Sequence, residues 1–298
     1  MNHSIKFYKK RDFSDILSVT FDFIRAEFKD LIKNVGIIVA PFGILSGILS
    51  SLYTSSIQGQ MNDMLSSPDG GFDPFAIYNP LYFLSIFGTG ILYTIFTGVI
   101  YAHIILTLKK GKGNFGPKEV LKFLGSNIFG IIGVGLLSIL AAGFGMIFLF
   151  IPGIWLSVMF SLSMFAKLNE GISVTDALGR SYSLVKGNWW NTFGIIIVLS
   201  IIYMVLGYLI QLPAGIYMGV KTFSSIQEGF FNLDPAYTTI AIFSSIISII
   251  FSAILYIGLA FQYFNLVERA EGVGAAKEID SIGNDQNEQT SVFSNLEN

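Results

Sequence analysis

Six stretches of nearly unbroken apolar residues divide this chain, at 35–53, 81–107, 128–150, 154–166, 192–210 and 240–264. A bilayer core about 30 Å thick needs about 20 apolar residues of helix to cross it, and most of the six reach that length. The fourth is the shortest. Counted from Pro152, which suits a first helical position, to Leu168, it rises about 26 Å and spans narrowly. Between the stretches the pattern changes to steps of three and four. Ahead of the first, Phe13, Ile16, Leu17, Thr20, Phe21, Ile24, Phe28 and Leu31 fall on one face, with Asp15, Asp22, Arg25 and Lys29 on the other. A basic, aromatic-rich amphipathic helix beside a span lies in the headgroup plane. Residues 117–125 (PKEVLKFLG) predict a shorter amphipathic piece before the third span. Residues 174–186 (VTDALGRSYSLVK) predict one before the fifth, with Val174, Ala177, Leu178, Tyr182 and Val185 on its apolar face. Ser173 and Asp176 form a capping box for it and Gly187 a stop.

The sequence Asn127-Ile-Phe-Gly130 recurs as Asn191-Thr-Phe-Gly194 and, more loosely, as Asn34-Val-Gly36. One reading is three units, each an amphipathic elbow followed by a helical hairpin. The other is that Asn and Gly favour interface junctions, and the irregular spacing leaves both open. The expected fold class is all-α, a polytopic membrane protein with six transmembrane helices and interfacial amphipathic elbow helices. Three regions follow: 1–30 as a cytoplasmic interfacial helix, 31–266 as the six-span domain, and 267–298 as an acidic, disordered cytoplasmic tail.

Charge gives this layout a direction. Of the 18 Lys and Arg residues, only Lys221 falls on one side of the six stretches, and all the others fall on the opposite side. Short cytoplasmic loops retain basic residues, so both termini are expected in the cytosol and the protein in a bacterial cytoplasmic (inner) membrane. Residues 54–80 and 211–239 are then outer loops carrying the turn-formers Ser67-Pro-Asp-Gly-Gly71 and Leu212-Pro213, and 150–154 is a tight apolar outer turn. Tyr53, Tyr78, Tyr82, Tyr208 and Tyr237 fall near the outer boundary and Trp189 and Trp190 at the inner face, where amphipathic rings anchor spans. Charged residues make up 13% of the chain and hydrophobic ones 52%, with 28 Phe, a balance no water-facing surface could hide. The absence of cysteine removes disulfide and thiolate chemistry, and the N-terminus lacks the compact apolar core of a cleavable signal.

Candidate chemistry is sparse. His103 is the intramembrane polar candidate, under two turns from Lys109, with no acid in the neighbouring apolar stretches to pair with it. That favours polar packing or snorkelling over a proton or ligand site. His3, in the N-terminal segment, is read as incidental. The span centres hold no Asp, Glu, Lys or Arg, which argues against an ion-coupled carrier, and Pro41 reads as a kink before it reads as a broken-helix ion site. Gly130-Ile-Ile-Gly133-Val-Gly135 lies in an apolar run without a preceding strand, so it is a packing feature and not a nucleotide loop. Gly88, Gly90 and Gly98 suit close helix packing in lipid. No catalytic or metal constellation, cofactor site or nucleic-acid surface is expected.

The most distinctive stretch joins Ile151-Pro-Gly-Ile-Trp155 to Asn169-Glu-Gly171 and to Asp176-Ala-Leu-Gly-Arg180, ending at Lys186-Gly-Asn-Trp-Trp190. It resembles the membrane-domain family named after glycerophosphoryl diester phosphodiesterase and related six-helix bacterial membrane proteins, closely over about residues 123–210. Gly179 inside the elbow and Asn169-Glu170 before it depart from that pattern. The resemblance implies a membrane module only, because in the namesakes hydrolysis belongs to a separate soluble barrel for which this chain has no matching residues. In the elbow, Arg180 and Lys186 beside Trp189 and Trp190 would attract anionic headgroups, at about 1 kcal/mol per basic residue. Glu170 and Asp176 are expected to pair with Arg180, each worth under about 1 kcal/mol. The expected function is therefore a non-catalytic module that binds membrane lipids, or scaffolds a protein partner, at the inner leaflet. The alternative is a carrier or channel for a small or lipid-like solute, marked by a polar mid-bilayer cavity lined by Ser157, Ser161 or His103.

Overall fold

Length and apolarity dictate helices, because backbone groups in lipid must be satisfied within their own segment. The computed structural model describes residues 5–66, 75, 77–148, 150–228, 235–276 and 279. Among them are eight α-helices and no strand: α1 Phe13–Ser66, α2 Pro80–Lys110, α3 Pro117–Phe148, α4 Phe150–Met159, α5 Ser163–Glu170, α6 Val174–Lys186, α7 Trp189–Glu228 and α8 Pro235–Glu271. Six segments are long and apolar enough to cross a membrane: Phe13–Gln60, Pro80–Lys110, Pro117–Ala141, Ile151–Glu170, Trp189–Ser224 and Ile242–Glu271. The protein is an all-α, multi-pass membrane protein. Ile201, Val205, Leu209, Leu212 and Ile216 of α7 are all more than half exposed, an apolar surface that suits contact with lipid.

The chain forms two units. One comprises Met1–Arg25, Gly133–Ile196 and Gly258–Asn298. Its core is aromatic. The Phe7 ring stacks on Phe261 at 5.9 Å and meets the edges of Phe264 at 5.4 Å and Phe23 at 6.2 Å. The backbone follows. Arg11 N–H donates to Asn265 Oδ1 at 2.8 Å, Arg269 Nη2 donates to Arg11 O at 2.6 Å, and the Arg11 guanidinium lies over Phe261 at 5.3 Å. Burial holds the Arg11 pKa below its usual value, against the opposing pull of Asp15. The segment before α1 is thus strapped to α8.

The other unit comprises Ala26–Ile132 and Ile197–Ile257. There α1 and α2 run antiparallel, joined by Asn34–His103 at 3.0 Å, Ser46–Thr89 at 3.2 Å and Asn79–Ser56 at 3.0 Å. From Asn34 to Ser56 the helix rises about 33 Å, close to one hydrocarbon thickness. Asn79 caps α2 by accepting the Tyr82 N–H at 3.1 Å, ahead of Pro80 at a helix start that needs no donor. A Cβ on Gly98 would stand 2.9 Å from Leu124 Cδ2, so the predicted close packing holds there, and likewise at Gly88, 2.9 Å from Leu49 Cδ1. Gly90 has no neighbour within 4 Å.

Several boundaries differ from expectation. The amphipathic segment at 13–31 and the first span are one uninterrupted helix, as are 117–125 and the third span, so a separate elbow helix forms only at α6. Its Ser173–Asp176 cap forms, with Asp176 N–H donating to Ser173 Oγ at 3.1 Å. On α1 the buried stripe is Ile16, Thr20, Phe23, Glu27 and Leu31, while Phe28 is 54% exposed. Leu212-Pro213 does not turn the chain but lies inside α7. The six-span boundary at 266 falls inside α8, and residues 267–271 are helical. Beyond residue 276 only residue 279 of the tail is described, and His3 and the Ser67–Gly71 turn lie outside the described residues.

Candidate functional site

The fourth apolar stretch breaks in the middle. Its helix stops at Met159 and restarts at Ser163. Ser181 of α6 repairs the gap, accepting from Leu162 N–H at 3.2 Å and donating to Met159 O at 2.6 Å. Gly171, at φ +71°, ends α5 in the left-handed conformation and lets the chain reverse into α6. The α4–α5 pair and α6 therefore form a hairpin. Its far end brings Trp155 O to Trp189 Nε1, the donor, at 3.3 Å. The sequence reading put the 150–154 turn and Trp189 at opposite faces of the membrane. The structure instead sets Ile151, Ile154 and Trp155 beside Lys186–Trp190, because the reversal at Gly171 carries α6 back along both α5 and α4.

These residues enclose a recess of about 720 Å³ whose lining contains Lys186, Asn188, Asn191 and the three tryptophans and no carboxylate. Trp190 is 78% exposed, and the Trp189 ring is braced by stacking on Phe193 at 4.9 Å. Lys186 Nζ stands 5.8 Å from the Tyr182 ring centroid, a cation–π arrangement that leaves its ammonium free to meet an anion.

Arg180, the other predicted basic group, is engaged. Its Nε donates to Glu170 Oε1 at 2.8 Å and its Nη2 pairs with Glu271 at 2.6 Å, while Tyr263 Oη also donates to Glu170. Burial alone lowers the Arg180 pKa, but the hydrogen bonds to both carboxylates outweigh it and the net direction is up. The Glu170 pairing holds as expected; the Asp176 pairing does not, because Asp176 Oδ2 accepts from Ser173 Oγ at 2.6 Å. A guanidinium between two carboxylates presents no net positive charge to a headgroup.

His103 has the acid that the sequence reading did not find. Asn34 Nδ2 lies 3.0 Å from His103 Nδ1, and His103 Nε2 lies 3.2 Å from Glu27 Oε2. All three residues are buried: His103 at 0%, Asn34 at 2% and Glu27 at 3% exposure. With Asn34 donating to Nδ1, the proton sits on Nε2 and donates to the carboxylate. Lys112 Nζ approaches Glu27 Oε1 at 4.0 Å and Phe115 meets the imidazole edge-on at 5.0 Å. His103 packs; it does not snorkel. Ser157 and Ser161 donate to Gly153 O and Val158 O, both at 2.8 Å. Among the described residues no three His, Asp or Glu side chains converge on a point suited to a metal ion.

No family model, no curated protein and no solved structure matches this chain.

Proposed function

We propose that the protein is a non-catalytic module of a bacterial cytoplasmic membrane, both ends in the cytosol, that binds an anionic lipid headgroup in the elbow recess. One observation carries the reading: Lys186 is a cation without a carboxylate partner among the described residues, in a recess walled by tryptophans and side-chain amides. A phosphate is recognised by a positive charge and hydrogen-bond donors. Exposed indoles suit the boundary between headgroups and chains. The one-sided distribution of Lys and Arg supports the orientation.

Native mass spectrometry of protein reconstituted with phosphatidylglycerol or phosphatidylcholine tests this. Lys186→Gln should lower phosphatidylglycerol retention about fivefold, the value of one basic group near a membrane surface, and leave phosphatidylcholine unaffected. Equal retention of both lipids by the unaltered protein would remove the proposal. Phosphodiester turnover by the purified protein, abolished in His103→Ala, would overturn its non-catalytic part.

A further inference from the structure

Along α1 the residues Ser46, Ser50, Thr54 and Gln58 follow a helical repeat of four, an unusual polar stripe in a segment long enough to cross a membrane. Ser46 of the stripe bonds Thr89 of α2 at 3.2 Å. The stripe faces a cavity of about 520 Å³ that runs from Gly43 to Gln58, a rise of about 22 Å along the helix. Twelve of the twenty lining residues carry a hydroxyl or a side-chain amide, and none carries a charge. The volume lies in the range of small-molecule sites, about 300–1,000 Å³.

A second observation separates this cavity from a row of small packing residues. Ser248 of α8 lines it, is 8% exposed, and its Oγ has no hydrogen-bond partner among the described residues. Helical hydroxyls elsewhere in the chain satisfy themselves on carbonyls three or four residues back: Ser252 on Ile249 O at 2.6 Å, Thr54 on Ser50 O at 2.9 Å, Thr97 on Tyr93 O at 2.8 Å. A buried hydroxyl left unpaired is unfavourable unless something else meets it.

We infer that this cavity binds a neutral, hydroxyl-rich group: a sugar or polyol, free or as the headgroup of a glycolipid. Serine, threonine and tyrosine hydroxyls both donate and accept, which a ligand carrying many hydroxyls requires and an ionised ligand does not. An ionised ligand would lose its hydration here and find no opposite charge. Tyr93, Tyr203 and Tyr208 add ring faces with polar tips, and Leu92, Met204 and Ile249 add an apolar wall for the carbon side of a sugar ring. The inference is independent of the lipid site at the elbow, since no residue lines both.

The test is equilibrium binding to the full chain in phosphatidylcholine nanodiscs. One arm uses tritiated glucose and glycerol in solution. The other incorporates monoglucosyl diacylglycerol and counts the retained glycolipid. Saturable binding in the first arm identifies a soluble ligand, and in the second alone a glycolipid headgroup; either supports the inference. Ser248→Ala should weaken binding roughly three- to tenfold, the value of one hydrogen bond, without lowering the thermal stability of the ligand-free protein. Gly207→Leu should abolish binding by filling the space, since a Cβ there meets nothing within 4 Å and the fold accommodates it. No saturable binding in either arm overturns the inference. So does binding that both variants leave unchanged, or glucuronate or glucose 6-phosphate binding as tightly as glucose.

Discussion

Removing Glu27 and removing His103 should not be equivalent, although each breaks the same hydrogen bond. In Glu27→Ala the imidazole keeps Asn34 on Nδ1 and loses the carboxylate that its Nε2 faces, in a place with no exposure. An unsatisfied buried donor costs about 1–3 kcal/mol. Lys112, whose side chain is 57% exposed, turns to water at little cost. In His103→Ala the stranded group is a carboxylate, its side chain 4% exposed, with Lys112 at 4.0 Å as the one cation among the described residues to answer it. Leaving one partner of a buried pair uncompensated costs about 3–5 kcal/mol. For a chain of this length about 1 kcal/mol moves the melting temperature by roughly 2–3 °C. Glu27→Ala should therefore lose about 5 °C and His103→Ala about 10 °C, read by intrinsic tryptophan fluorescence on heating in detergent.

The decisive variant replaces Glu27, Asn34 and His103 together by leucine. With every partner apolar no group is left unsatisfied, and the melting temperature should recover most of what His103→Ala loses. Glu27→Gln should fall close to the unaltered protein, because its amide oxygen can still accept from Nε2. A triple variant as unstable as His103→Ala would refute the reasoning, since packing volume and not polar satisfaction would then set the loss. Shifts under 1 °C for both single variants would mean that the three residues do not meet.

Ser181→Ala should cost about 1–3 kcal/mol, because it strands Leu162 N–H and Met159 O at the break between α4 and α5; hydrogen exchange at Leu162 should rise before that of α6. Gly98→Val should lower the melting temperature by an over-packing loss of about 1–3 kcal/mol, whereas Gly90→Val on the same helix, where a Cβ has no neighbour within 4 Å, should change it little. Arg180→Gln should lower thermal stability and leave phosphatidylglycerol retention unchanged, the reverse of Lys186→Gln, because its charge is already consumed by Glu170 and Glu271.

What was legible in the sequence was local. A run of apolar residues needs no partner to declare itself, so six spanning segments could be read directly, as could the Ser173 cap, whose two members are three residues apart. Pairings across the fold were not. Glu27 stands on the buried stripe Ile16, Thr20, Phe23 and Leu31 as its one charged member, a signal that the apolar spacing of the segment hides. An acid on a buried stripe demands a partner, and His103 is the histidine that the apolar stretches offer. Ser181 gives the same kind of signal on α6, between Ala177 and Val185. The break at Met159 gives none, since Phe160 and Leu162 continue the apolar run across it. For that reason the gap that Ser181 fills could not be read from spacing.

Hydrogen-bond satisfaction then sorts the polar groups by role more sharply than residue type does. Arg180 and Lys186 lie six residues apart on one helix and looked equivalent in the sequence. Two carboxylates saturate the first, and among the described residues an aromatic ring accompanies the second. His103 and Ser248 are both buried in membrane-spanning helices. The imidazole has partners on both nitrogens, whereas the hydroxyl has none among the described residues and borders empty space. Saturated groups hold the fold, and replacing them should move the melting temperature. A cation or hydroxyl left with unused capacity beside a cavity adds little to folding, so replacing it should change ligand retention at constant stability. That split is what distinguishes Lys186 and Ser248 from Arg180 and His103, and it holds whichever lipid or sugar the two sites turn out to prefer.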